Sequence, residues 1–189
     1  FVTIDGSNAK DFDDAVYAEE SSDGFLLYVA IADVSEYVLQ DSSLDKEALS
    51  RATSVYFEKK VIPMLPELIS NKLCSLRPNE DKLVLTCEIY LDGEGEIKSY
   101  EFFNSVICSK NRLAYDEVEK FYQKGQTALS DDIVSNLNAL KKIHALRRKI
   151  REERKAIDFY LPEYRPVGKD NKIIKFKSIN HLLANEVIE

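Results

Sequence analysis

Four aspartates, Asp5, Asp11, Asp13 and Asp14, fall within one ten-residue stretch. They lie between the apolar run Phe1-Val2-Thr3-Ile4 and a second strand-like run, Ala15-Val16-Tyr17-Ala18. Carboxylates held that close raise one another's pKa unless a counter-cation joins them. A hard divalent ion such as Mg²⁺ is the usual partner of an all-oxygen ligand set. Phosphodiester hydrolysis by two metals needs carboxylates converging on cations ~3.5–4 Å apart. A solvated turn, with aspartates bonding backbone amides, accounts for the same spacing. Residue types alone leave both readings standing. An EF-hand loop does not fit: counting from Asp5, Lys10 stands where the turn needs Gly and Val16 where it needs Glu.

The elements around this loop read mostly as strands. Asp23-Gly24 marks a turn before Phe25 to Ala32, a nearly all-apolar run expected to be a strand buried on both faces. Paired with Ala15–Ala18, it would brace the acidic loop from behind. Ser42 or Ser43 caps a predicted helix through Ala52. Pro63 and Pro66 break the next segment, and Glu67 to Asn71 reads as a short helix. Leu83–Leu91 and Glu96–Ser109 form a predicted hairpin about Asp92-Gly93-Glu94-Gly95. Arg112 to Tyr122 reads as a helix ended by Gly125. Ile133, Leu137, Leu140, Ile143, Leu146 and Ile150 form one face of the longest helix, opened by Ser130. Asp158 to Phe176 returns to short strands, and Ser178 is expected to start a last helix. Segregated strand and helix runs predict an α+β fold, a mainly antiparallel sheet packed with several helices.

Composition narrows the function. The 189 residues suit one domain, and no apolar run approaches the ~20 needed to span a bilayer. Cys74, Cys87 and Cys108 are odd in number and lack a CxxC, which excludes a disulfide framework and suits a reducing, cytoplasmic compartment. Cys74 reads as a small buried residue. A net charge of −7 opposes general nucleic-acid binding, so any such substrate must meet a local groove or a basic neighbouring domain. The basic stretch from Lys141 to Lys155 lies off the apolar helix face and reads as solvated surface.

The stretches Phe1–Gly6 and Ala9–Val16 closely resemble the signature of the RNase II/RNase R exoribonuclease family. Ile31-Ala32-Asp33-Val34-Ser35-Glu36-Tyr37-Val38, Ser43-Leu44-Asp45, Ser54-Val55-Tyr56-Phe57, Ile62-Pro63-Met64-Leu65-Pro66, Leu73-Cys74-Ser75-Leu76 and Leu113-Ala114-Tyr115-Asp116 continue the resemblance along the chain. It implies processive 3′-to-5′ hydrolysis of single-stranded RNA to nucleoside 5′-monophosphates, with Mg²⁺ or Mn²⁺ in its place. By this similarity Asp5, Asp11, Asp13 and Asp14 form the metal site, with Asp5, Asp11 and Asp14 mainly holding metal and Asp13 the residue whose loss stops cleavage while RNA stays bound. No Ser, Cys or His nucleophile is required. Tyr56 and Phe159 match the rings that clamp the terminal nucleotides, an arrangement that tolerates any base. Tyr115 and Glu189 match residues at the ribose.

The subfamily signals are mixed. Ala30 looks like the RNase II branch, whereas Asp33–Ser35 and Ser54–Tyr56 look like RNase R, which is slightly favoured. The resemblance further implies that residues 1–189 are the N-terminal part of the RNB-type catalytic domain. A downstream arginine and flanking OB-type domains, cold-shock and S1, then lie in a longer protein. The alternatives are a catalytically inactive RNA-binding relative and a metal-stabilised structural module.

Overall fold

Apolar alternation in the first hundred residues builds a sheet whose strands are mostly joined by tight turns. The computed structural model describes residues 1–57, 60–125, 128–157, 161, 163–169, 172–179 and 181–189. Strands β1 (Val2–Asp5), β2 (Asp14–Ser21) and β3 (Gly24–Ala32) come first. The β2–β3 turn needs Gly24, whose φ is +145° and where a Cβ would lie 2.0 Å from the Leu91 carbonyl oxygen. Helix α1 (Ser43–Arg51) follows, with Ser42 Oγ accepting the Asp45 N–H at 3.1 Å. A small ribbon, β4 (Val55–Tyr56) with β5 (Val61–Ile62), precedes a π-helical turn, Ile69–Leu73.

The long hairpin β6 (Asp81–Asp92) and β7 (Ile97–Cys108) is as expected. Its turn is drawn tight by Asp92 Oδ1, which accepts the N–H groups of Glu94 and Glu96 at 3.0 and 2.9 Å. Strand β8 (Asn111–Ala114) then leads directly into α2 (Tyr115–Lys124), and α3 (Asp131–Glu153) is the longest helix. A separate hairpin, β9 (Glu163–Lys169) and β10 (Lys172–Ile179), precedes α4 (Leu183–Ile188). The main sheet has the order β7-β6-β3-β2-β1-β8. Every pair is antiparallel except β1 with β8, which run parallel in the register Asp5↔Ala114. The α+β expectation holds.

Three local expectations need correction. Asn111–Ala114 is a strand, because β1 offers it a free edge and that pairing overrides its helical pattern. Ser178 belongs to β10, where it pairs with Tyr164, so the last helix starts later, at Leu183. Strand β3 is not buried on both faces throughout: Ile31 is 46% exposed. Helices α2 and α3 pack over β1, β2 and the opening half of β3, with α4 seated against both helices, so Ile31, Leu83, Leu85, Phe102 and Val106 lie on an open part of that face.

Two cores flank the sheet. One joins Val2, Ile4, Val16, Ala18 and Phe25 to Ile133, Leu137, Leu140 and Ile143 of α3. Buried Asn136 fixes that helix in place, its Oδ1 accepting the Ala18 N–H at 2.7 Å. The second core gathers Ala15, Ala30, Leu65, Ile69, Cys74 and Leu76 around Phe12, a residue of the acidic loop itself. Cys74 is buried, as expected. The basic residues of α3 have intramolecular partners: Lys142 pairs with Glu20, Arg147 donates to the Gly95 carbonyl, and Arg148 pairs with Glu186. Among the described residues, no helix is long and apolar enough to cross a membrane.

Candidate active site

Sheet topology gathers the chemistry-bearing residues at one end. Strand β1 finishes at Asp5 and β2 opens at Asp14, so the acidic loop spans the gap between neighbouring strands. The parallel partner β8 ends opposite Asp5, which places Tyr115, the first residue of α2, at the same end. Helix α4 brings Glu189. Its first turn is held by Glu119 of α2, which accepts the Ala184 N–H at 3.2 Å, and Glu186 pairs with Arg148 of α3 at 2.8 Å. The Tyr115 phenol is pushed up by burial and by the charges of Asp5, Asp14 and Glu189, so all three acids act on it.

The loop has its own fastenings. The Ala9 N–H bonds the Gly6 carbonyl at 3.0 Å, making a tight first turn. The Phe12 side chain is 5% exposed in the second core, and its carbonyl accepts the Leu76 N–H at 2.8 Å. The Asp13 carbonyl accepts the Ala32 N–H at 2.8 Å. Burying Phe12 leaves Asp11 and Asp13 outside the core, close enough for the charge of Asp11 to act on the Asp13 carboxyl.

That crowding has an electrostatic signature. The Asp5 carboxyl is raised from 3.8 to about 6, first by burial and then by Asp14, Asp13 and Asp11, with Arg112 acting in the opposite direction. Partial desolvation, Asp11 and Asp14 raise Asp13, and burial raises Asp14. The Asp5 Oδ2 atom is buried and has no hydrogen-bond partner. A buried carboxylate oxygen without a donor is costly, and its neighbours are further carboxylates, so the donor set fits a cation. Among the described residues, however, no three His, Cys, Asp or Glu side chains already form a ready-made metal site. The backbone brings the four aspartates to one place without closing their carboxylates into ligand geometry.

The sign of the Asp5 shift gives a stability test. In metal-free protein the unfolded chain loses this proton near 3.8, whereas the folded chain keeps it until about 6. Stability from this group is therefore fully present below about pH 4, falls as the pH rises toward 6, and stays lower above that. Asp5→Asn should raise the unfolding free energy at pH 7.5 in chelator by about 1–2 kcal/mol, a value discounted for solvent screening. Urea unfolding at pH 4.5 and 7.5 checks this. An Asn variant no more stable than the parent at pH 7.5 would remove the electrostatic reading.

Tyr56 sits on the β4–β5 ribbon with 65% of its surface exposed, and its hydroxyl donates to Asp11 Oδ2 at 3.2 Å. Its phenol is raised by partial burial and by Asp11, with a smaller contribution from Asp13. The structure thus brings together Asp5, Asp11, Asp13, Asp14, Tyr56, Tyr115 and Glu189. Phe159 lies outside the described residues. Sequence reasoning missed Ser75 and Arg112, which bind the loop from outside it. The signal for Ser75 was a lone hydroxyl between apolar Cys74 and Leu76. For Arg112 it was hidden by the helix expectation.

Known proteins share this sequence and fold. The family model described as RNB domain matches residues 1–189. The chain is 48% identical over 160 residues to Ribonuclease R of Acidithiobacillus ferrooxidans, a match covering 84% of this chain and 36% of that protein. It is 41% identical to Ribonuclease R of Escherichia coli (strain K12), with 100% of this chain and 24% of that protein covered. The chain therefore spans between 24% and 36% of the length of these relatives. Its structure superposes on Mycoplasma genitalium RNase R, solved in complex with ribose-methylated single-stranded RNA. The TM-score is 0.95 at 37% identity, with 100% of this chain and 30% of that one covered.

Proposed function

Because the chain belongs to the RNB domain family that includes these Ribonuclease R proteins, we propose that residues 1–189 are part of the catalytic domain of a 3′-to-5′ exoribonuclease. It hydrolyses single-stranded RNA processively to nucleoside 5′-monophosphates. In the full-length protein, flanking OB-type domains supply the basic surface that a chain of net charge −7 lacks.

The observation that carries this reading is the orphaned, buried Asp5 Oδ2 inside a cluster of carboxylates that raise one another's pKa. Asp5, Asp11 and Asp14 would hold Mg²⁺. Bound there, such a cation supplies Lewis-acid assistance to the nucleophile and charge compensation at the scissile phosphate. Asp13 is exposed at the loop's end and is available to the reacting groups. The Tyr56 ring offers a face on which a base stacks, and its hydroxyl ties that face to Asp11. Tyr115 and Glu189 flank the ribose of the terminal nucleotide.

Labelled single-stranded RNA and Mg²⁺ test the reading. The full-length protein should release mononucleotides from the 3′ end and stop in chelator. The 189-residue chain alone should show little or no processive release, because the flanking domains and the downstream part of the catalytic domain are needed to hold RNA. Undiminished release in excess chelator would overturn the metal assignment, and robust processivity by the short chain would overturn the division of labour.

A further inference from the structure

Within the loop from Gly6 to Asp13 only one short turn and a long 3.4 Å bond from the Lys10 N–H to Asp11 Oδ1 act on its shape, so most of its geometry is imposed by residues distant in sequence. Ser75 is fully buried. Its hydroxyl oxygen accepts the Phe12 N–H at 3.1 Å and donates to the Lys10 carbonyl at 2.9 Å. Those two partners bracket Asp11. Arg112 acts at the other end: its guanidinium donates to the carbonyls of Gly6 and Ser7 at 3.2 and 2.5 Å. The same group lies over the Phe12 ring, 5.2 Å from its centroid. Gly6 and Ser7 are the two residues by which the chain leaves Asp5. One fastening therefore governs the direction of Asp5 and the other that of Asp11.

We propose that Arg112 and Ser75 are positioning residues that hold the acidic loop in the shape its metal-binding carboxylates require, without themselves touching cation or RNA. The inference rests on the metal reading given above. A purely structural role is a poor account of Arg112. Its side chain is exposed, where a guanidinium adds little to global stability, yet every bond it makes here is to the loop. Its Nη2 reaches both adjacent carbonyls while the flat guanidinium lies over the Phe12 ring, and a compact ammonium group does not reproduce that stacked contact. Outer-shell partners of this kind typically change metal affinity by about 10–100-fold.

The test is Mn²⁺ affinity, measured by water-proton relaxation in the full-length protein, alongside melting temperature and RNA affinity. Arg112→Gln should weaken Mn²⁺ binding about tenfold or more, with melting temperature and RNA affinity close to the parent's. Arg112→Lys should recover only a small part of the loss. Ser75→Ala should weaken Mn²⁺ binding as well and speed amide exchange at Phe12. If Ser75→Ala fails to fold, Arg112→Gln at its exposed site still decides. Parent-like Mn²⁺ affinity in Arg112→Gln, or full recovery with Lys, overturns the inference while leaving the metal reading intact. Absence of Mn²⁺ binding to the parent overturns both.

Discussion

Asp13→Asn in the full-length protein should lower RNA turnover by about a thousandfold or more, equivalent to about 4 kcal/mol of transition-state stabilisation. RNA affinity should stay within a few-fold. The backbone at this position is fixed independently of the side chain, since the Asp13 carbonyl accepts the Ala32 N–H at 2.8 Å. Asn has the same shape, so the loop keeps its course and only a charge is removed. The carboxyl that disappears is exposed and sits in the field of Asp11 and Asp14, where reacting groups can meet it. On the proposed reading RNA is held by the Tyr56 ring and by surfaces outside this chain, which the substitution leaves alone. Single-turnover cleavage and filter binding, measured side by side, separate the outcomes. Unchanged turnover removes Asp13 from the chemistry, and a parallel loss of affinity makes it a binding residue instead.

The second large effect concerns Tyr56. Tyr56→Ala should weaken single-stranded RNA binding by roughly 5–150-fold, the equivalent of about 1–3 kcal/mol for one stacked base. Tyr56→Phe should retain most of that affinity, because the ring does the stacking and the hydroxyl faces Asp11. The ring is not needed for folding: it is 65% exposed on a two-residue strand. Equilibrium binding of a short oligonucleotide to both variants checks this. A Phe variant as weak as the Ala variant would shift the importance from the ring to the hydroxyl.

Most of this arrangement was legible in the residues. The aspartate spacing between two apolar runs placed the loop, and Asp92–Gly95 placed the hairpin, because both signals are local. What escaped was long-range. Asn111–Ala114 is a strand only because β1 lies alongside it, and no local pattern announces a parallel partner more than a hundred residues away. Ser75 and Arg112 were missed for the same reason, since their partners belong to the loop and not to their own segments. Ile31 is a case of pattern misread: its apolar run predicted burial on both faces, whereas helical cover stops partway along β3.

The parallel pairing of β1 with β8 also decides when the carboxylates can meet. Strands β2, β3, β6 and β7 form a meander of antiparallel neighbours, although β3 and β6 are separated by a long excursion through α1 and the β4–β5 ribbon. Bringing Asp5 beside Ala114 closes a far longer span, an entropic cost about 2 kcal/mol above that of a ten-residue loop. The acidic end of the sheet should therefore assemble late, after the meander has collapsed, so that charge repulsion is met only once most of the core exists. Stopped-flow refolding in chelator should show a slow final phase that Mg²⁺ accelerates, and a final phase indifferent to Mg²⁺ would place assembly of this end elsewhere in the sequence of events.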